Sequence, residues 1–184
     1  MSNGPYMNIR PAAEKAWMKY MNPFCQTDNV HLYRMLEIME AQVDESGTLV
    51  GIETPFFGFA CLGMEAANAE CNLDDPSGPP VLAGKMQINI RTLAEDVVNT
   101  DGAKIEGGDV HDNLVGRVLD AIYQVTVDPD LRQSLPDVLN ALATPGISLN
   151  AVFIPLQDYP RAIGATYESN IMVPFWAVAS TINM

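Results

Sequence analysis

The sequence predicts an α+β fold in which helices pack on one face of a mostly antiparallel sheet. Three observations lead to this prediction. Apolar residues recur at helical spacing in residues 10–43 and 110–124, they alternate strictly with polar residues in 85–93, and β-branched or aromatic runs fill residues 147–180. The resulting order is two helices, a few strands, a central helix, a broken helix and a final group of strands.

The N-terminal part of the chain predicts two helices. In the first, over residues 10–21, Pro11 stands where an opening helical turn tolerates proline, and Asn22-Pro23 is expected to break the helix. The second covers residues 28–43 and is stopped by Ser46-Gly47. The apolar stripe is Ala13, Trp17, Tyr20 and Met21 in the first helix and Leu32, Met35, Leu36, Met39 and Val43 in the second.

Strand periodicity follows the second helix. Residues 48–54 and 56–62 are two short extended runs separated by a proline. Residues 68–84 carry the turn formers and acids of an exposed loop. In residues 85–93 every second side chain is apolar, so we expect one face of this strand to be buried and the other to meet water or a partner.

A polar connection over residues 95–109 leads to an amphipathic helix. Each apolar group contributes about 1.5–3 kcal/mol when buried, so this helix gains most of its stability by packing on a sheet. Its apolar side consists of Leu114, Val115, Val118, Leu119 and Ile122, and its polar side of Asp112, Arg117, Asp120 and Gln124.

The C-terminal part predicts two short helical turns and an antiparallel finish. Pro136 interrupts the helical stripe of residues 128–142. The expected strands are residues 147–154, 161–168 and 169–180, the last two separated by a polar link at Glu168 to Asn170. Pro174 predicts that the last strand lies at an edge or carries a bulge.

Length and composition indicate one folded domain. A chain of 184 residues with 48% hydrophobic residues can bury a full core, with residues 1–45 as an N-terminal helical segment and residues 46–184 as an α+β domain continuous with it. The start of the chain lacks the pattern of a signal peptide, and no stretch approaches the roughly 20 apolar residues of a membrane span. We therefore expect a protein made in a cytoplasm, with no membrane partner.

The charge is strongly negative and unevenly placed. The formal net charge is −13, from 23 acidic and 10 basic side chains, so the chain as a whole repels a phosphate backbone. Residues 35–84 contain nine acids and no Lys or Arg. This excludes a protein that grips nucleic acid through its overall charge and predicts a negative surface.

The best candidate for a chemical site is the group Asp109, His111 and Asp112. An imidazole between carboxylates can act as a general base or bind a cation, but the only other histidine lies on a different predicted helix. The alternative is that Asp109 caps the helix and Asp112, in the first turn, interacts with the helix dipole. This simpler alternative predicts that His111 tolerates substitution far better than Leu114 or Val118.

Other chemical motifs are weaker. Cys25, Cys61 and Cys71 form no CxxC pair and are expected to be reduced, structural thiols. No phosphate-loop or calcium-loop pattern is present. We therefore assign no catalytic, metal-binding or cofactor-binding residue and predict no cofactor.

Trp176 lies on the opposite strand face from Phe175, so either both faces of that strand are covered or Trp176 anchors a neighbouring subunit. An assembly component, and not an enzyme, becomes the leading class.

Seven segments in sequence order support that class: FFGFACLGMEA, KMQINIRTLAED, HDNLVGRVLDAI, LRQSLPDVLNAL, ISLNAVFI, RAIGATYE and IMVPFWAVA. This succession, over residues 50–184, resembles that of the tail terminator, or tail completion, proteins of long-tailed bacteriophages. The resemblance implies a sheet with helices on one face. It also implies self-assembly into a ring, commonly a hexamer, on the head-proximal end of the tail tube.

The resemblance further implies the partners and the location. The ring would contact the tail tube protein and a head or neck connector protein, DNA would pass through it without sequence-specific binding, and the protein would belong to the virion after assembly in the host cytoplasm. The family has no catalytic residues to transfer. The N-terminal helices and the loops over residues 68–84 and 96–110 depart from the compact pattern, which leaves open the ring number and the alternative of another head-tail connector or neck protein.

The negative charge suits a ring through which DNA slides, because a lumen that repels phosphates does not bind the passing DNA. We therefore expect some of Glu65, Glu70, Asp74 and Asp75 to face the channel. Two alternatives come from other classes: a small cytosolic acidic enzyme centred on Asp109, His111 and Asp112, and an acidic adaptor that binds a basic partner and stays monomeric.

Overall fold

The computed structural model describes residues 9–25, 29–45, 49–66, 81–98, 102, 104–127, 147–152, 156–157 and 160–179. The helices in these ranges are α1 (Ile9–Cys25), α2 (Met35–Glu40) and α3 (Gly107–Val127). The strands are β1 (His31–Arg34), β2 (Phe56–Ala66), β3 (Val81–Leu93), β4 (Val97–Val98), β5 (Lys104–Ile105), β6 (Ile147–Val152), β7 (Leu156–Gln157), β8 (Arg161–Ile163) and β9 (Thr166–Ala179).

One mixed sheet organises the described chain. Its strand order is β1-β2-β3-β9-β6, and β7 and β8 also pair with β9. The β1–β2 pair is parallel and the other pairs of this sheet are antiparallel. A separate two-stranded sheet joins β4 and β5 just before α3. The predicted α+β class with a mostly antiparallel sheet is confirmed.

The two long helices share one face of this sheet. Residues Trp17 and Met21 of α1 and Val118 of α3 are completely buried in one core with the inward side chains of β2, β3 and β9. The Tyr20 hydroxyl donates a 2.6 Å hydrogen bond to the carbonyl oxygen of Ala121 and thereby joins the two helices. The predicted apolar stripes of α1 and α3 are therefore the core-facing surfaces, and α1 belongs to the same core as the sheet.

The short helix α2 lies on the opposite face, where Gly58 of β2 leaves room for it. A Cβ atom at Gly58 would lie 2.8 Å from Ile38 Cδ1 and 3.2 Å from Met35 Sδ. Gly58 alternates with Phe57 and Phe59, which face α1 and α3. The expectation that all helices share one face thus holds for the two long helices only.

The predicted helix over residues 28–43 is wrong in most of its length. Residues His31–Arg34 instead pair in parallel with Phe56–Phe59, and only Met35–Glu40 are helical. Leu36, Met39 and Val43, predicted to lie on a buried stripe, are 51%, 76% and 61% exposed. The long-range pairing with β2 overrides the local helical periodicity.

Other element boundaries also differ from the predictions. Residues 48–54 were expected to form a strand, but their described part contributes only an isolated bridge between Leu49 and Val43. Helix α1 continues through the expected break at Asn22-Pro23 to Cys25. Strand β3 begins at Val81, inside the expected loop over residues 68–84.

Strand β9 is continuous through the expected polar link at Glu168 to Asn170 and lies in the interior of the sheet. The expected edge position of this strand is therefore wrong. Among the described pairs, β9 pairs with β6 up to the Val152–Phe175 pair and with β7 from the Leu156–Met172 pair, and Pro174 itself pairs with Lys85 of β3. A register shift of the kind that a bulge produces lies on the neighbouring strand β6, between Leu149 and Ala151.

The predicted broken helix over residues 128–142 lies outside the described residues. Among the helices that the structure describes, none combines the length and the hydropathy needed to cross a membrane.

Candidate functional site

His111 occupies a polar enclave between the start of α3 and the sheet. Its side chain is buried, with 1% of the residue exposed. The Nδ1 atom lies 2.9 Å from Thr92 Oγ1 on β3, and the Nε2 atom lies 2.8 Å from Ser169 Oγ on β9. The ring of Tyr167 lies 5.9 Å away, measured between ring centroids. Both ring nitrogens therefore have hydroxyl partners on two adjacent strands.

Burial sets the protonation of this imidazole. Loss of hydration lowers the pKa of His111 below its usual value, and the nearby negative charge of Asp112 opposes the shift only in part. The neutral ring has one donor and one acceptor nitrogen, and each hydroxyl can take the complementary role. His111 is thus a neutral, fully hydrogen-bonded core residue.

The structure does not bring Asp109, His111 and Asp112 together into one site. The residues Asp109 and Asp112 are exposed, whereas His111 points into the interior. The proposed helix cap is also corrected. The helix begins at Gly107, so Asp109 lies within its first turn and interacts there with the helix dipole, whereas Asp112, expected in the first turn, lies beyond it.

The start of α3 is positioned by a close backbone contact. A Cβ atom at Gly107 would lie 2.8 Å from the carbonyl carbon and oxygen of Ala94 and from the carbonyl oxygen of Glu95. Glycine allows this approach, which brings the following turn, with His111, against Thr92. Gly107 therefore serves packing at the helix start.

The Ser169–His111 pair has the spacing of a nucleophile and its general base. Both residues are 1% exposed, and Thr92 is equally buried. A substrate cannot reach a hydroxyl in this position, so the geometry supports a structural role. The sequence contained a sign of these partners. Thr92 lies two residues from Ile90, and Ser169 lies two residues from Ile171, so each hydroxyl points to the same buried face as an isoleucine. Polar residues on an otherwise buried strand face indicate a buried polar partner.

The face of the sheet opposite α1 and α3 carries a ladder of polar side chains across β3 and β9. The Asn89 amide donates to Glu168 Oε1 at 2.8 Å and to Asn170 Oδ1 at 3.0 Å, and Gln87 Nε2 donates to Asn170 Oδ1 at 2.6 Å. Arg91 forms an ion pair with Glu168 and lies over the ring of Phe56, 5.6 Å from its centroid. The atoms Asn89 Oδ1 and Arg91 Nε are buried without a hydrogen-bond partner among the described residues, whereas the other polar groups pair with one another and form a structural ladder on this face.

Beyond the ladder, the same face ends in an apolar groove at Trp176. The groove has a volume of about 460 Å³, and we call it the Trp176 groove. Trp176 is 41% exposed and Leu62 is 37% exposed. Lys85 is the only charged side chain among the described lining residues, which are Leu62, Gly63, Ala83, Gly84, Lys85, Met172, Pro174, Phe175 and Trp176.

A second exposed apolar surface lies on α2. Its large apolar side chains are Leu36 and Met39, at 51% and 76% exposure, and its charged residues are Glu37 and Glu40. We call these four residues the α2 surface. The Glu37 carboxylate accepts a 3.0 Å hydrogen bond from the Arg34 amide and thereby stabilises the start of the helix.

The sequence matches no protein-family profile and no curated protein.

The described cysteines, Cys25 and Cys61, are buried. Burial raises the pKa of Cys25 and of Cys61 to about 12, so neither is a thiolate near neutral pH. Cys71 lies outside the described residues. In the described ranges, no three His, Cys, Asp or Glu side chains are placed to hold a metal ion.

The acids expected at a channel are mostly outside the described ranges, which contain Glu65 but not Glu70, Asp74 or Asp75. The backbone of Glu65 pairs with Ala83, after a register shift that follows Leu62.

Proposed function

We propose that this chain is a structural virion protein that assembles into a ring and, as a tail terminator, caps the tail tube of a long-tailed bacteriophage and joins it to the head or neck. The observation that carries the proposal is the exposed apolar surface at Trp176. Isolated exposed apolar residues are ordinary, whereas a groove lined by them indicates an interaction site. The α+β architecture with α1 and α3 on one face is the architecture that the resemblance implies.

The histidine, the residue type most suggestive of an enzyme, also favours a structural role. His111 is enclosed by Thr92 and Ser169, and the carboxylates beside it in sequence face solvent. An enzyme centred on this group needs an accessible imidazole, which these contacts do not provide. An assembly role requires only a stable domain and a surface for neighbours.

The experiment that tests the proposal is capping of a tail tube. The purified chain is added to growing tubes of the tail tube protein encoded in the same genome, and electron microscopy records tube length and decoration of the tube ends. We expect one ring at a single end of each tube and arrested growth. Tubes that elongate to the same length with undecorated ends would contradict the proposal.

A matched pair of variants links capping to the proposed surface. Trp176→Ala removes the main apolar group of the groove, and Val98→Ala removes a side chain that is 67% exposed on β4. We expect Trp176→Ala to weaken capping about 30-fold, as at an interface hot spot, and Val98→Ala to leave it unchanged. Equal effects of the two variants would argue against Trp176 as a subunit contact.

The channel is proposed to be lined by some of Glu65, Glu70, Asp74 and Asp75, since acids in a lumen repel passing DNA. Electron cryo-microscopy of the capped tube locates these residues directly. Their placement on the outer rim of the ring would remove this part of the proposal and leave the capping function intact.

A further inference from the structure

We propose that the α2 surface of one copy of this chain inserts into the Trp176 groove of a second copy. The inference deepens the proposed function, because it names the two surfaces that join neighbouring subunits. It rests on the apolar character, the size and the opposite charge of two separate surfaces of the same chain.

The apolar parts of the two surfaces match. The α2 surface presents Leu36 and Met39, which are more than half exposed, as protruding side chains of a short helix. The Trp176 groove offers about 460 Å³ of space lined mainly by apolar residues. This volume falls within the range of about 300–1,000 Å³ typical of pockets that enclose a ligand. It is therefore large enough to receive a methionine and a leucine side chain.

The charges of the two surfaces are opposite. The α2 surface carries Glu37 and Glu40, and α2 contains no basic residue. The groove carries Lys85, which is exposed and forms no ion pair with another described residue. Opposite charges across an interface select the partner and fix the register of the contact.

The same charges disfavour the symmetric alternatives. A contact between two Trp176 grooves would place Lys85 near its own copy, and a contact between two α2 surfaces would bring four carboxylates together. In a chain with a net charge of −13, such like-charge contacts add to a repulsion that already opposes association. The contact that joins the two different surfaces is the one that the charges favour.

A contact between two different surfaces is heterologous. In the resulting dimer one copy still offers its groove and the other its α2 surface, so further copies add until the arrangement closes into a ring. This is the association that a tube-capping ring requires.

The first test is a charge-reversal cycle measured by mass photometry and sedimentation. We expect Lys85→Glu and Glu40→Lys each to weaken self-association about tenfold, and the double variant to return to within about threefold of wild type. Glu40 is preferred to Glu37, whose carboxylate stabilises the start of α2. The control Lys15→Glu makes the same charge change at an exposed position of α1 and should have no effect.

The second test mixes two variants that each lack one surface. Met39→Gln keeps an intact groove, and Trp176→Ala keeps an intact α2 surface, so a mixture can form one contact and no more. We expect each variant alone to be monomeric and the mixture to give heterodimers without larger assemblies. Thermal melting and circular dichroism confirm that each variant is folded. Folded variants that assemble like wild type, or mixtures that stay monomeric, would overturn the inference.

The outcomes separate this inference from the proposed function. A wild-type chain that stays monomeric at about 0.1 mM, where a micromolar contact is saturated, overturns the contact between copies. Tube capping by variants that carry Lys85→Glu or Met39→Gln at wild-type efficiency overturns it as well and leaves the proposed function standing. Undecorated tubes together with an intact charge-reversal cycle would refute the function and support the contact.

Discussion

Replacement of His111 by alanine should destabilise the domain as much as a large-to-small change in its apolar core. The substitution removes the partner of Thr92 Oγ1 and of Ser169 Oγ, which lie 2.9 Å and 2.8 Å from the ring nitrogens. A buried polar group without a partner costs about 1–3 kcal/mol, and a cavity adds to this. We expect a loss of about 2–4 kcal/mol, close to the value of about 2–5 kcal/mol for Leu114→Ala. The buried contacts of His111 therefore replace the expectation from the sequence that it tolerates substitution far better than Leu114 or Val118.

The assay is urea unfolding followed by far-ultraviolet circular dichroism at neutral pH. Linear extrapolation gives the free energy of unfolding, and dilute protein keeps self-association from adding to it. Asp112→Ala is the matched control, because it lies one residue away on the same helix and is exposed. Its effect should stay within about 0.5 kcal/mol.

A triple variant tests the cause of the loss. His111→Leu combined with Thr92→Val and Ser169→Ala leaves none of the three polar groups in the enclave. Removal of all partners should recover part of the stability that His111→Ala loses, because no hydroxyl is then left unpaired. If His111→Ala costs no more than Asp112→Ala, the enclave does not stabilise the domain and the reasoning fails.

Three further predictions follow from the described contacts. The pKa of His111 is lowered in the folded state, so below about pH 6.5 the unfolded state takes up a proton that the folded state does not. The stability of the wild type therefore decreases as the pH is lowered through this window. Because His111→Gln lacks the imidazole, the difference in urea midpoint between wild type and this variant should become smaller from about pH 7.5 to about pH 5. A difference that stays constant would contradict the prediction. Gly107→Ala should destabilise the domain by about 1–3 kcal/mol, because its Cβ atom would meet the Ala94 backbone, whereas Gly108→Ala, whose Cβ atom has open space, should stabilise it by up to about 1 kcal/mol. Similar melting temperatures of the two variants would refute the close contact. Tyr20→Phe should cost about 1 kcal/mol of unfolding free energy through loss of the α1–α3 hydrogen bond, and an unchanged value would show that water replaces it.

The sequence was most informative where packing is local and periodic. The stripe with Trp17 and Met21 and the stripe with Val118 are the core-facing surfaces of α1 and α3, and the alternation around Ile88 marks the buried face of β3. In each case a single period determines which side chains point inward, and the sheet supplies what covers them.

Sequence reasoning failed where distant pairing decided the structure. Residues His31–Arg34 carry a helical pattern, but they pair with Phe56–Phe59, and nothing within a local window indicates that pairing. The partners of His111 are separated from it by 19 and 58 residues. The Asp–His–Asp sequence drew attention to neighbours in the chain, whereas the actual partners are hydroxyls on adjacent strands.

The two faces of the sheet have different physical roles. The described helices α1 and α3 cover one face, where His111 pairs with Thr92 and Ser169 and where the buried Glu14 carboxylate accepts hydrogen bonds from Cys61 N–H and Arg34 Nε–H, so this face gains little from a neighbouring molecule. The described residues cover the opposite face only in part. The ladder from Gln87 to Arg91 pairs within the chain except at Asn89 Oδ1 and Arg91 Nε, and the Trp176 groove and the α2 surface remain exposed at separate places. An apolar patch alone would attract other copies without selecting an orientation, and the excess negative charge of the chain opposes association in every orientation. The combination of apolar groups with Lys85 on one surface and Glu40 on the other supplies that selection, and for this reason the charge-reversal cycle is the decisive test of how the subunits join.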